Sequence, residues 1–247
     1  MSCSFEWIGR WAPSGYLLVV RSDFMASLKQ DEIQAPVIQR NSVANQVYLD
    51  LRSRILSGQI PQGERLVEAT IARSLGISRA PVREAVNRLM EGGLLENRTH
   101  FGPSVISMSP EKIHELYAVR NSIEALAIQA VTKKHSKDDL KELRSLIQVM
   151  ADRAAAGDLA GVVEAELDFH EALWRMAGNP YIEKIAGLLF DHMRLALTID
   201  NAAYGNLLDV ALEHEPLVAA IESGNADNAA EALTRHIMSS LDAFSQS

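Results

Sequence analysis

The 247-residue sequence has little cysteine, few aromatic residues and a deficit of positive charge. Its one cysteine, Cys3, excludes an intrachain disulfide framework and any zinc cluster built on cysteine. A metal centre in this chain therefore has to use histidine and carboxylate, and the cysteine usage suits a reducing compartment. No segment reaches the ~18 consecutive apolar residues of a membrane span. The early apolar run Tyr16–Val20 is shorter than the core of a signal peptide, which needs about 7–15 residues. A soluble, cytoplasmic protein is expected. The 24 Lys and Arg against 32 Asp and Glu give a net charge of −8, which taken whole argues against a nucleic-acid partner. What is present is a globular composition, 47% hydrophobic, on a chain long enough for one large or two ordinary domains.

The charge is not evenly spread. Residues 36–106 carry a net +3, residues 107–247 a net −10, and residues 1–35 a net −1. Residues 1–35 hold Trp7 and Trp11, show no sustained period, and read as a disordered N-terminal extension. From residue 42 onward the apolar residues recur at helical spacing. Val43, Val47, Leu51 and Ile55 mark one helix, closed by Gly58. A short helix over 67–74 and another over 79–91 follow, the latter with Ser78 as N-cap and Pro81 in its first turn. Residues 94–106 hold two short β-prone runs around a polar turn, a small hairpin. Beyond it only helices are expected, at 110–134, 136–156, 158–177, 180–200, 206–223 and 226–244. The fold class is mainly α: a winged helix-turn-helix over 36–106 and an antiparallel helical bundle over 107–247.

Three helices and a hairpin in about 65 residues are the order of a winged helix-turn-helix, in which the helix after Ser78 would lie in a DNA major groove. Arg79 and Arg83 lie four apart, on one face of that helix, and each can bond a guanine edge or a phosphate. The bland alternative is that both arginines only pair with nearby glutamates or solvent. The hairpin tip, Arg98 to Gly102, would touch the flanking minor groove or backbone. The run Gly58-x-Ile-Pro-x-Gly-x-x-Leu66, then Ala72-x-x-Leu-Gly-Ile-Ser-Arg-Ala-Pro-Val-Arg-Glu-Ala85, Arg88-Leu89 and Gly93-Leu94, resembles the GntR family of bacterial transcriptional regulators. The resemblance covers residues 42–106. It implies a homodimer on a palindromic double-stranded operator, with Ser78, Arg79, Ala80 and Arg83 at the DNA and His100 and Gly102 in the wing.

In the bundle, polar residues on apolar stripes mark an interior site. Val163, Leu167, His170 and Trp174 step by four, three and four, with Glu166 one turn before His170. His214 sits within the stripe Leu207, Val210, Ala211, Leu217, Val218 and Ile221, and His236 beside Leu233 and Ile237. Inward histidines and a carboxylate from three helices are ligands for a first-row divalent ion. His192 also falls on a stripe, with Ile185, Leu189 and Leu195, so the stripes alone leave open which histidines converge. His114 and His135 read as surface or helix-end residues.

Tyr117-x-x-Arg-x-x-x-Glu124, Glu166-x-x-Phe-His170, Gly178-Asn179, Glu213-His214, Gly224-Asn225-Ala226 and His236 resemble the FCD effector domain of FadR-type GntR regulators. The resemblance implies one divalent ion, zinc first, nickel or manganese otherwise, held by Glu166, His170, His214 and His236. Glu166 departs from the family's usual Asp and is one carbon longer. The implied effector is a small organic acid, bound by Arg120 with Tyr117; Arg194, beside the apolar stripe, is a second candidate cation, with a surface salt bridge as its alternative role. Six helices are closer to the VanR-like branch. The whole reads as a repressor, not an enzyme. A metal-dependent enzyme acting on a small carboxylate is the alternative, and a helical dimer module with purely structural histidines is the third.

Overall fold

The computed structural model describes residues 43–244; the extension assigned to residues 1–35 lies outside them. The winged module begins with α1 (Val43–Leu56), whose Ala44, Val47, Leu51 and Ile55 repeat at three to four residues and are all buried. Helices α2 (Glu68–Leu75) and α3 (Arg79–Glu91) follow. Gly76 ends α2 at φ 67°, a left-handed conformation that side chains other than glycine disfavour. Ser78 takes the N-cap position of α3 in an extended conformation, but its hydroxyl makes no capping bond. Val82, Ala85, Val86 and Leu89 point from α3 into the core. Strands β1 (Leu95–Arg98) and β2 (Gly102–Val105) pair antiparallel, Leu95 opposite Val105 and Arg98 opposite Gly102, and Arg65 bridges to β2 at Ser104. This is the expected winged helix.

The rest is helical: α4 (Pro110–Lys134), α5 (Lys137–Ala155), α6 (Leu159–Ala177), α7 (Pro180–Ala203), α8 (Leu207–Leu212), α9 (Glu215–Glu222) and α10 (Ala226–Phe244). Ser136 starts α5 with a full capping box, its hydroxyl accepting from the Asp139 amide while Asp139 accepts from the Ser136 amide. α4 packs on α6, α7 and α10, and α6 also contacts α5.

The helix expected over 206–223 is two helices, α8 and α9, so the described residues after the wing form seven helical segments rather than six. Pro216 lies in the first turn of α9. It has no N–H to continue the α8 ladder, and its ring would crowd the carbonyl four residues back. The break puts His214 at the N-cap of α9 instead of mid-helix.

Helix α7 meets the winged module at two places. Arg52 of α1 forms a two-pronged ion pair with Asp191, its Nε 2.7 Å from Oδ2. Gly93, just after α3, faces the His192 ring so closely that a Cβ there would stand 2.5 Å from Cε1. Gly93 also has φ 75°, which other residues adopt at a penalty of about 1–2 kcal/mol. Gly93→Ala should therefore destabilise the protein by more than that backbone penalty in chemical denaturation. His192→Ala in the same chain should recover the steric part. No recovery would mean that the ring does not limit the space at Gly93.

Candidate functional site

In the winged module, Arg79 and Arg83 both project to solvent from the first turns of α3. The Arg79 side chain is 71% exposed, and its ion-pair partner, Glu68, is 3.9 Å away. A pair that long and exposed contributes little, so Arg79 remains available to an anion. Ser78 and Ala80 are exposed beside them. In the wing, His100 sits in the β1–β2 turn at φ 64°, and Gly102 opens β2 at φ 86°. Arg98 is tied back to Glu96 at 2.8 Å and Ser107 at 3.2 Å. Sequence reasoning missed Arg65, whose guanidinium lies 5.4 Å from the exposed Phe101 ring at the wing tip.

In the bundle, Glu166, His170, His214 and His236 come together, each offering a ligand atom within 4.8 Å of all the others. His192 is not among them; it stands against Gly93. Helix α6 supplies Glu166 and His170 one turn apart, and the α8–α9 break supplies His214. The His214 and His236 ring centroids are 4.3 Å apart, and those of His170 and His214 are 5.5 Å apart. Glu166, longer than the aspartate the motif usually carries, still reaches the cluster.

The nitrogens of these rings are arranged as a metal requires. His214 Nδ1 lies 2.7 Å from the Val210 carbonyl. A proton donated there leaves Nε2 with a lone pair, and Nε2 has no protein partner. His170 Nδ1 lies 2.7 Å from Glu124 Oε2, close enough for a strong charge–dipole attraction though not aligned as a hydrogen bond. His170 Nε2 and His236 Nδ1 are likewise buried and unpartnered. Burial lowers all three histidines below their usual range, His214 to about 3 with His170 beside it adding to the effect. Neutral rings are what a cation needs as ligands. Burial raises the Glu166 carboxyl to about 7, against the opposing pull of Arg120 and the hydrogen bond from Asn201, 2.8 Å away. The residues present therefore fit a divalent ion: three orphaned nitrogens and one strained carboxyl, in a set free of thiols.

Arg120 is 3% exposed, and its Nε donates to Glu124 Oε1 at 2.9 Å. Burial alone would raise the Glu124 carboxyl, but the Arg120 charge and then His170 hold it at about 2. The Tyr117 hydroxyl donates to Asp200, and the Arg120 guanidinium lies 5.4 Å from the Tyr117 ring. Arg194 is placed elsewhere. It forms an ion pair with Glu164 and stands 5.6 Å from the Phe190 ring, beside Arg52. His114 is exposed and His135 sits at the end of α4, as expected.

Asp200 and Asn201 contact Tyr117 and Glu166 of the candidate site, and sequence reasoning did not single them out. The signal was there. Met193, Ala196 and Leu197 form a buried stripe on α7, and Asp200 and Asn201 continue it as polar residues.

Residues 43–105 match the gntR family of bacterial regulatory proteins, and residues 115–239 match the FCD domain. The relative titled "Probable D-xylose utilization operon transcriptional repressor" from Paenarthrobacter nicotinovorans is 31% identical over 210 residues, 85% of this chain and 92% of the relative. The gluconate operon transcriptional repressor of Bacillus subtilis is 30% identical over 148 residues, 60% of each chain. The solved structure of E. coli McbR/YncC superimposes with a TM-score of 0.67 at 22% identity, over 83% of this chain and 98% of that one, a likeness of fold. The relatives are transcriptional regulators, not enzymes. With a gntR-type winged helix in one half and an FCD bundle in the other, this chain is a DNA-binding transcriptional regulator of the GntR family, of the FadR type.

Proposed function

We propose that the protein is a repressor that binds a palindromic operator as a homodimer and responds to a small organic acid through a divalent ion. The observation that carries this reading is the convergence of Glu166, His170, His214 and His236 around buried nitrogens that no protein group satisfies. Those four residues would hold the ion, zinc foremost, with nickel or manganese as the other fits. When bound, the ion supplies open coordination positions that a ligand carboxylate can occupy. Arg120, with its Nη2 buried and unpartnered, supplies the cation for the same carboxylate, and Tyr117 lies under the guanidinium. Repression is the reading favoured by the likeness to the D-xylose and gluconate operon repressors.

Helix α7 carries the response in this reading. Asp200 and Asn201 near its C-terminal end contact Tyr117 and Glu166. Asp191 and His192 in its middle contact Arg52 and Gly93 of the winged module. A ligand that prefers one position of α7 shifts the winged modules by its differential affinity and by no more.

Dimerisation has a surface to use. Val119 and Leu126 on α4, and Tyr181, Ile185 and Leu188 on α7, form exposed apolar rows at helical spacing on two helices that pack together. Leu126 is 61% and Leu188 71% exposed. These rows meet their counterparts in a second copy. Leu126→Glu combined with Leu188→Glu should give a monomer by light scattering where the wild type is a dimer; a dimeric double variant would place the interface elsewhere.

Arg79→Ala and Arg83→Ala should each weaken operator binding. Loss of a base contact costs about 1–3 kcal/mol, and loss of a phosphate contact lowers the salt slope by about 1. Fluorescence anisotropy across a salt series reads both, and unchanged affinity and slope in both variants would remove α3 from the interface.

Elemental analysis of protein purified without added metal should find an ion in the wild type and almost none in His214→Ala. Glu124→Gln, which changes the group facing His170 and also removes the counter-charge of Arg120, should bind the ion about 10–100-fold more weakly. A wild-type protein that neither contains nor takes up a divalent ion would leave the histidines structural.

A further inference from the structure

Arg65 lies just before α2 and is fixed to the wing. Its backbone bridges to Ser104 of β2, and hydrogen bonds on either side hold that register. The Leu66 N–H donates to the Pro103 carbonyl at 2.8 Å, and the Val105 N–H to the Glu64 carbonyl at 2.9 Å. The guanidinium carbon is 5.4 Å from the centre of the Phe101 ring. A Cβ on Gly102 would stand 3.8 Å from Arg65 Nε and 3.9 Å from Nη2, so the guanidinium also covers the wing backbone. The turn that presents the ring is tied as well, since the Phe101 N–H donates to the Arg98 carbonyl at 2.9 Å.

Stacking on a ring engages the charge of a guanidinium but none of its five N–H donors. Among the described residues no carboxylate pairs with Arg65, whereas Arg98 beside it is engaged by Glu96 and Ser107. Arg65 is thus an exposed, ordered cation with its donors still to be used. The chain that carries it runs on to Glu68 at the start of α2, and Glu68 reaches Arg79 of α3 at 3.9 Å. Residues 65–68 therefore bridge the wing tip and the first turn of α3. The restraint on Arg65 decides which oxygen it can meet. A guanidinium that reads a base edge must extend into a groove. Arg65 instead lies along the wing against Phe101 and Gly102, so an oxygen has to come to it. On duplex DNA the oxygens at the outer surface are those of the phosphates, and stacking leaves the planar fork available to them.

We infer that Arg65 donates to a DNA phosphate beside the wing, and that Phe101 is the positioning residue that holds its guanidinium for that bond. The contact adds affinity without reading sequence. A side chain already ordered on a ring gives up less freedom on binding than a mobile one, and that is what Phe101 supplies.

Fluorescence anisotropy of the full-length protein tests this on two duplexes, one selected by the wild type from a random-sequence pool and one of unselected sequence. Arg65→Gln should make the dependence of log affinity on log salt shallower by about 0.9 per bound protomer. Its preference for the selected duplex should stay as in the wild type. Arg65→Lys keeps the charge and should keep the slope. A wild-type slope in Arg65→Gln overturns the contact, and a lost preference for the selected duplex overturns the phosphate assignment in favour of base reading. With Phe101→Ala in the same chain, Arg65→Gln should weaken binding by a smaller factor than it does with the ring present. Equal factors overturn the role given to Phe101. Both side chains are exposed, so the variants should unfold at the wild-type denaturant midpoint. A slope that changes only together with a lowered midpoint marks a structural role and overturns the contact.

Discussion

Glu124 is buried to 1% exposure, and its two carboxylate oxygens face different partners: Arg120 Nε on one side and His170 Nδ1 on the other. A carboxylate in that position is stable only because the guanidinium one turn away compensates it. The same contact fixes Arg120 in the interior and leaves one of its terminal nitrogens free. It also favours the proton on His170 Nδ1, so that Nε2 turns to the cluster as a lone-pair donor. One residue thus orients both the cation and a candidate metal ligand. Replacing either partner would leave a buried charge uncompensated, which is far costlier than losing a surface pair.

The second constraint is the break between α8 and α9. A continuous helix would present His214 by its side-chain rotamer alone. With Pro216 interrupting the ladder, His214 sits at a helix start with Nδ1 anchored on the Val210 carbonyl. The ring is therefore held by backbone, and Nε2 is aimed before any ion arrives. Buried neutral histidines with aimed nitrogens are an expensive arrangement for a core that needed only packing, since leucine would fill the same volume without orphaned atoms.

Much of this was legible in the sequence. The winged helix is written in local signals: Gly58 and Gly76 as stops, Ser78 before an apolar stripe, and turn residues between two β-prone runs. His170 and Glu166 are legible as polar residues on the apolar face of α6. Legibility fails where the third dimension decides. The apolar stripe from Leu207 to Ile221 runs straight through the α8–α9 break, because both helices bury the same side and the period survives the interruption. His192 and His236 look alike as stripe members, yet one faces Gly93 and the other the cluster, a difference set by where α7 and α10 lie. Arg194 misleads for a related reason: its guanidinium lies over the Phe190 ring and pairs with Glu164, away from the histidine cluster. Asp200 and Asn201 needed partners from α4 and α6 to become visible as site residues.

The net charge of −8 also changes meaning once divided, because the positive share lies in the module that exposes Arg79 and Arg83. The acidic bundle repels phosphate and leaves the winged face as the attractive one. What joins the halves is α7, in contact with Glu166 and Tyr117 near one end and with Arg52 and Gly93 in its middle. The central claim is that occupancy of the buried cluster changes DNA binding. The most direct measurement is operator affinity of the chelator-stripped protein, before and after reloading with zinc, in wild type and in His170→Ala. Coupling energies of this kind correspond to about 5–150-fold in affinity. The account predicts a shift of that size in the wild type and none in His170→Ala. Identical operator affinity for stripped and reloaded wild-type protein would contradict it.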